Sequence, residues 1–175
     1  TYYEKITIND IKQIYEDIGK NIEYLKNYYD VLMTEIETKE FMSPKEYYLA
    51  RNISLIYLTL DNLKYDLDNW YKKNKEKESN RLVVNHNNLK LEHFINNKLI
   101  SFEKANIGLP IFDLYKLYKE TYNDYDWLEL YKRYNANYPL KEDEVELFII
   151  LIMLPNKIEF SFNEYESTLM VTKEI

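Results

Sequence analysis

Apolar residues at three- and four-residue spacing fill the first part of this sequence and constrain it to helices. The spacing is kept over residues 8–36, as expected for one face of a long amphipathic helix, and Thr7 with Asp10 resembles a capping box at its start. A second helix is predicted to begin at residues 43–46, where an N-cap serine precedes a proline and, three residues on, a glutamate. Its apolar positions include Tyr48, Ile53, Ile56, Leu60, Leu63 and Leu67. The two helices are predicted to pack as an antiparallel hairpin.

Strand signals are confined to the middle of the chain. Residues 82–84 are typical of a short strand, and the apolar pairs 94–95 and 99–100 flank Asn96-Asn97-Lys98 as a tight hairpin. The charged run 72–81 has no apolar anchor and is predicted to be a solvated loop. With only 2 Gly and 4 Pro, an all-β chain with many tight turns is disfavoured.

The C-terminal part is again predicted to be helical. Residues 110–122 form one amphipathic stretch, and Asp126 with Glu129 has the spacing of a capping box for the next helix. The carboxylates of Asp124, Asp126 and Glu129 also allow acid–base work, but helix capping explains them better.

The last predicted helices follow an acidic segment. Residues 142–144 place negative charge at a helix start, the apolar run 145–154 is predicted to be deeply buried, and Pro155 is predicted to end or kink it. A final helical segment would carry Ile158, Phe162 and Tyr165. The predicted fold class is therefore mainly α with a small β-hairpin region, in one domain. Its three parts are a helical hairpin (1–75), a central loop and β-hairpin (81–105), and C-terminal helices (110–175).

Composition excludes several functional classes. A net charge of −7 without an evident basic face disfavours nucleic acid as a partner. The absence of cysteine excludes a disulfide framework and thiolate zinc sites. No signal peptide is apparent at the start of the sequence, and the longest apolar run is too short to span a bilayer. The sequence thus predicts a soluble protein without a membrane partner.

The central stretch has the layout of a phosphotransferase site. Phosphoryl transfer needs a carboxylate beside the accepting hydroxyl and oxygen ligands for the magnesium ions that bridge the phosphates. The sequence places His86-Asn87-Asn88 after the predicted strand, His93 five residues after Asn88, then the hairpin, then Ile100-Ser101-Phe102-Glu103. The spacing of these residues suits phosphoryl transfer, but Asn88, His93 and Ser101 do not provide the carboxylates that it needs.

This arrangement resembles the aminoglycoside and choline kinase-like phosphotransferase family, whose loop reads His-Gly-Asp with Asn five residues after the Asp, followed by Ile-Asp-Phe/Trp. The resemblance is closest to the bacterial spore-coat branch of CotS type, in which a Pro-x-x-Asp-Leu follows, matched here by residues 110–114. Later matches are Tyr138-Pro139-Leu140, the acids of 142–146 and the apolar run ending in Pro155. The implied fold is the C-terminal lobe of a kinase-like enzyme.

The resemblance also implies roles for individual residues. The family's catalytic Asp falls on Asn88, its metal-binding Asn on His93 and its second metal-binding Asp on Ser101, whereas His86 would pack the loop and Asp113 would accept hydrogen bonds from the loop backbone. An amide at Asn88 has no basic site near neutral pH. Without an anionic oxygen at Ser101, magnesium loses a main hard ligand, and imidazole at His93 suits zinc or copper better. Neither ATP nor magnesium, which the family uses, is expected as a cofactor here.

The nucleotide-binding lobe of such enzymes is also expected to be absent from this sequence. That lobe carries a glycine-rich loop and a lysine on β-strands. The chain has only Gly19 and Gly108, and its helices begin near residue 8. The lobe either lies upstream in a longer protein or never existed.

Three functions follow from these observations. The leading one is a catalytically degenerate kinase-like domain with a structural role, in contact with other proteins such as spore-coat components, and located in the cytoplasm or spore coat. A second is the C-terminal lobe of an active small-molecule phosphotransferase, with Glu103 supplying the missing carboxylate. A third is a helical interaction domain unrelated to kinases, in which Asn88 and Asp113 would lie far apart. A metal site made of His86, Glu92, His93 and Glu103 is a less favoured alternative to hydrogen-bonded histidines.

Overall fold

The computed structural model describes residues 2–4, 8–77, 79–96, 98–160 and 163–174. The strands and helices run in the order β1 (Tyr2–Glu4), α1 (Ile8–Glu37), α2 (Pro44–Asn74), β2 (Asn80–Asn85), β3 (Phe94–Ile95), β4 (Lys98–Leu99), β5 (Asn106–Gly108), α3 (Ile111–Thr121), α4 (Trp127–Asn137), α5 (Glu142–Met153) and α6 (Glu164–Glu174). Short 3₁₀ turns occupy Leu91–His93 and Phe102–Lys104. The protein is mainly helical with a small antiparallel strand region, as predicted. Among the described residues, no helix combines the length and the hydropathy needed to cross a bilayer.

The chain divides into two compact units, Thr1–Lys12 with Trp70–Ile152, and Gln13–Asn69 with Met153–Ile175. The second unit, here called the hairpin unit, contains most of α1 and α2 and the C-terminal segment. Its buried apolar side chains are Ile18, Ile22, Leu25, Tyr29, Met33, Ile36, Leu49, Ile56, Leu60, Leu63, Leu67, Leu154, Ile158 and Val171. Tyr29 is fully buried, and its hydroxyl donates to Asn156 O (3.1 Å) and accepts from Ile158 N (3.3 Å). A buried phenol therefore joins the hairpin to the segment before α6.

The apolar faces of the hairpin differ from prediction in detail. Tyr48 was predicted on the buried face of α2, but it is exposed and Leu49 is buried in its place. At the C-terminus α6 begins at Glu164 and carries Tyr165, as predicted, whereas Ile158 lies before the helix and is buried. A tyrosine tolerates both environments because its ring is apolar and its hydroxyl polar, which makes it a weak marker of a helix face. Thr7 and Phe162 lie outside the described residues.

The predicted cap of α2 is formed by its glutamate. Ser43 N donates to Glu46 Oε2 at 2.8 Å, and the Lys39 ammonium bonds to Glu46 Oε1. Glu46 is buried. The hydrogen bond from Lys39, together with that from Ser43 N, holds the pKa of this carboxyl below its ordinary value. The charged form of Glu46 is therefore the one that stabilises the helix start.

Replacing Glu46 with glutamine is expected to destabilise the protein by about 1 kcal/mol at pH 7, the typical size of one capping interaction. The folded pKa lies below the unfolded one, so the contribution of the carboxylate is full above the unfolded pKa and is lost as pH falls through the folded pKa. Urea unfolding of wild type and Glu46→Gln at pH 7 and at pH 3.5 should show the difference shrinking in acid. An equal difference at both pH values would contradict this account.

The first unit, here called the sheet unit, contains both small sheets and α3 to α5. One sheet has the strand order β1-β2-β5 and is antiparallel throughout, and the other is the β3-β4 hairpin. The predicted strand at 82–84 is confirmed and extends over Asn80–Asn85. The hairpin is confirmed too, with Asn96 at φ 50°, but Lys98 pairs with Ile95 and so belongs to the strand, not the turn. Strands β1 and β5 were not predicted.

The charged run 72–81 is not simply a solvated loop, and this prediction is wrong. Helix α2 continues to Asn74, and β2 begins at Asn80. The basic side chains of the run pair with the acidic start of α5. These pairs are Lys73–Glu146 (2.5 Å), Lys77–Asp143 (2.6 Å) and Arg81–Glu144 (2.5 Å). These three ion pairs therefore attach the run to the start of α5.

Helices α4 and α5 begin where predicted. The Asp126 side chain accepts from Glu129 N at 3.1 Å and caps α4, whereas the Glu129 carboxylate accepts from Arg133 Nε at 2.8 Å. In α5 the residues Leu147, Phe148, Ile150 and Leu151 are buried, but Ile149 is 46% exposed. Burial of α5 is thus less complete than its composition predicted, and the helix ends at Met153, before Pro155.

Candidate functional site

The candidate site is a loop held between the sheet and the first turn of α3. Strand β2 ends at Asn85, the loop continues through residues 86–90, and β5 returns antiparallel to β2 with Asn85 opposite Asn106. Asn87 has φ 61°, a left-handed conformation that asparagine adopts more readily than most residues. The sequence thus provides a sharp turn immediately before Asn88.

Asp113 fixes the shape of this loop. Its Oδ2 accepts from His86 N at 2.6 Å and its Oδ1 from Asn87 N at 2.8 Å. Asp113 lies in the first turn of α3, where the positive end of the helix dipole favours a carboxylate. This is the contact that the sequence resemblance predicted for Asp113. The expectation for an unrelated helical domain, that Asn88 and Asp113 lie far apart, is wrong, because Asn87 adjoins Asn88 and bonds directly to Asp113.

Lys116 is a second clamp on the loop, which was not predicted from the sequence. Its ammonium donates to Asn87 O at 3.1 Å and also bonds to Asn87 Oδ1. Asp113 and Lys116 are three residues apart and therefore lie on the same side of α3. This spacing after a proline-started helix is the one signal in the sequence that could have identified Lys116.

The histidines of the site are bound to backbone oxygens. His86 is 2% exposed, and its Nε2 lies 2.6 Å from Ile100 O. The centres of the His86 and Phe102 rings are 4.7 Å apart in an edge-to-face arrangement. His93 Nδ1 lies 2.8 Å from Asn88 O. Because a carbonyl oxygen only accepts, these ring nitrogens carry the protons and donate. Both imidazoles therefore serve the loop as hydrogen-bonded supports.

The three positions of the implied chemistry lie in one neighbourhood. Asn88 contacts His93 through its carbonyl oxygen, the His93 and His86 rings are 5.6 Å apart, and His86 reaches Ile100, which precedes Ser101. Ser101 has φ 67°, which places it at a sharp bend before a 3₁₀ turn. The loop thus gathers the positions that the sequence spacing predicted to belong together.

The site is poor in free anionic oxygens. Both oxygens of Asp113 take backbone donors, Glu92 is 71% exposed with Oε1 3.8 Å from His93 Nε2, and Glu103 is exposed on its 3₁₀ turn. Within the described ranges, no group of three or more His, Asp or Glu side chains is arranged to hold a metal ion. Hard cations are usually held by several such oxygens.

Comparison with known proteins gives this chain no relatives: no family model, no curated protein and no solved structure matches it. The geometry of the site is therefore the basis of any functional conclusion.

Proposed function

We propose that this chain is a catalytically degenerate, kinase-like domain that acts through protein contacts instead of phosphoryl transfer. The observation that carries the proposal is the pairing of an ordered loop with an exchanged set of side chains. Asp113 holds the loop at His86 and Asn87, while the three chemical positions carry Asn88, His93 and Ser101. The loop has its structural hydrogen bonds but lacks carboxylates at the chemical positions. This combination favours a role in which the domain binds other proteins and does not catalyse a reaction.

The side chains at the three chemical positions do not provide the groups that phosphoryl transfer needs. The backbone carbonyl oxygen of Asn88 accepts a hydrogen bond from His93 Nδ1, so this nitrogen is committed to the backbone. Loss of a general base costs about 10²- to 10⁴-fold in rate, whereas loss of the metal ligands removes charge neutralisation from the phosphates. Loss of the metal ligands is therefore expected to lower the rate more than loss of the general base.

Support for a role in protein contacts comes from the outer face of α2. Leu55, Leu58 and Tyr65 are 51%, 58% and 68% exposed, and they recur at three- and seven-residue spacing along one side of the helix. Exposed apolar side chains grouped on one face are typical of interaction surfaces. In line with the spore-coat resemblance, we propose that the partner is another structural protein.

The proposal predicts that magnesium with ATP leaves the thermal stability of the protein unchanged. A ligand present at 100 times its dissociation constant would raise the free energy of unfolding by about 2.7 kcal/mol, which thermal unfolding detects readily. The triple variant Asn88→Asp/His93→Asn/Ser101→Asp restores the oxygen ligands and is expected to gain magnesium binding in isothermal titration calorimetry. Asn52→Asp/Ser54→Asp adds the same number of carboxylates on α2 and should gain none.

Magnesium-dependent stabilisation of the wild-type protein by ATP would overturn the proposal. Phosphate transfer that is lost in Glu103→Gln would instead favour an active phosphotransferase with an altered register at Ser101.

A further inference from the structure

A cavity lies within the sheet unit, beside the loop that Asp113 holds. It has a volume of about 480 Å³. Its walls come from β2, the β3-β4 hairpin, α3 and α4, with Leu114, Leu117 and Leu130 among the apolar side chains that line it. Cavities of about 300–1,000 Å³ with mostly apolar walls and a few polar groups are typical of small-molecule sites.

One polar side chain in the wall is buried with an unused acceptor. Asn85 lines the cavity and is 2% exposed. Its Nδ2 donates to Leu109 O at 3.1 Å, but its Oδ1 has no hydrogen-bond partner among the described residues. A buried acceptor left unpaired costs about 1–3 kcal/mol, so a donor from a bound molecule would recover that cost.

A glycine leaves room for the Asn85 amide. A Cβ built on Gly108 would lie 2.7 Å from Asn85 Nδ2, closer than any real side chain allows. Gly108 is opposite Val83 in the β2-β5 ladder, so the close approach is fixed by the sheet. The hydrogen bond from Asn85 Nδ2 to Leu109 O sets the orientation of the amide in this space.

A second polar atom in the wall is also unsatisfied. Tyr138 lines the cavity, and its hydroxyl is buried without a partner in the part of the chain that the structure describes. The guanidinium of Arg81 lies 4.3 Å from the centre of its ring, which fixes the ring position. Two residues of the wall thus each bury one polar atom without a partner among the described residues, in otherwise apolar surroundings.

The charge of the walls limits the kind of molecule that fits. Among the described residues that line the cavity, Asp113 is the charged one, and both its oxygens are engaged by the loop backbone. Burial raises the pKa of Tyr134, another wall residue, and keeps it a neutral phenol. No lining side chain would neutralise an anion, and a buried charge without a partner is costly. The occupant should be neutral.

We propose that this cavity binds a neutral, mostly apolar small molecule whose hydrogen-bond donor is accepted by Asn85 Oδ1. Phenols and nitrogen heteroaromatics with an N–H group have this chemistry. The inference is independent of the proposed kinase-like ancestry, since it uses only the cavity, its two unsatisfied polar atoms and its charge.

Methyl NMR of the full chain with labelled Leu and Val tests the site with two probes, 4-phenylphenol and 4-methoxybiphenyl. The first is expected to shift the methyl signals of Leu114, Leu117 and Leu130 saturably. The second has the same rings but no donor, and it should bind at least about tenfold more weakly, the equivalent of one lost hydrogen bond of about 1.4 kcal/mol.

Two variants provide the control. Leu117→Trp fills the cavity and should abolish binding, whereas Leu128→Trp adds the same bulk on α4 at a side chain that is 64% exposed and outside the cavity. It should bind the phenol like wild type. Equal binding of both probes, no saturable shift, shifts that lie elsewhere, or unchanged binding in a folded Leu117→Trp protein would each overturn the proposal.

Discussion

Replacing Arg81 with methionine is expected to lower the free energy of unfolding by about 3–5 kcal/mol, the cost of removing one partner from a buried ion pair. The Arg81 guanidinium is bidentate on Glu144, with Nε–Oε1 at 2.7 Å and Nη2–Oε2 at 2.5 Å. Only 11% of the arginine side chain and 3% of the glutamate side chain are exposed. In the variant, the Glu144 carboxylate stays buried and keeps just the backbone donor Lys141 N. Urea unfolding at pH 7 measures the loss.

A double variant separates the cost of leaving the Glu144 charge unpaired from the cost of losing the packing of Arg81. Arg81→Met/Glu144→Gln removes the uncompensated charge while the glutamine oxygen still accepts from Lys141 N, so it should recover more than half of the loss. The exposed pair Arg133–Glu129 is the matched control, because 78% of the Arg133 side chain is in solvent. Arg133→Met should cost less than about 1 kcal/mol. If Arg81→Met and Arg133→Met lowered the free energy of unfolding by similar amounts, the Arg81–Glu144 pair would not be desolvated.

Replacing Asp113 with alanine is expected to destabilise the protein by about 2–5 kcal/mol, because two backbone N–H groups lose their acceptor at once. Those groups belong to His86 and Asn87, and the donor–acceptor distances of 2.6 and 2.8 Å are those of strong, charge-assisted bonds. Asp113→Asn keeps one oxygen and should lose roughly half as much. Amide hydrogen exchange at His86 and Asn87, measured beside urea unfolding, should show these two protons lose protection.

Asp124 provides the control for this loop. It is an exposed aspartate in the turn after α3, and Asp124→Ala should change the free energy of unfolding by no more than about 0.5 kcal/mol. If His86 and Asn87 kept their exchange protection in Asp113→Ala, the carboxylate would not be what holds the loop. The candidate site would then lack the feature on which its interpretation depends.

Local pattern alone predicted most of the helices. The spacing over residues 8–36 and the Ser-Pro-x-Glu start at 43–46 correspond to α1 and α2, and the Asp126 cap corresponds to the start of α4. These signals work from sequence because each involves side chains within one or two helical turns. Tyr48 was misplaced because tyrosine is tolerated on either side of a helix.

The strands were harder, because their pairing is not local. Strand β1 has three residues and pairs with the stretch from Asn80 to Leu82, far along the chain, and β5 pairs with the end of β2. Neither segment has an alternating apolar pattern of its own. Arg81 and Glu144, 63 residues apart, are likewise unremarkable charges until the fold brings them together.

For the site, the sequence by itself determined the spacing of His86, Asn88, His93 and Asp113, and that an amide and a hydroxyl stand where the proposed kinase-like ancestry would place carboxylates. That conclusion needs only residue types, because an amide or hydroxyl cannot replace an anionic oxygen. Only the tertiary structure decided that Lys116 clamps the loop beside Asp113, that Asn85 keeps an unused buried oxygen, and that a cavity lies beside it. These features depend on which surfaces lose their water when distant segments pack, and a one-dimensional pattern does not contain that information.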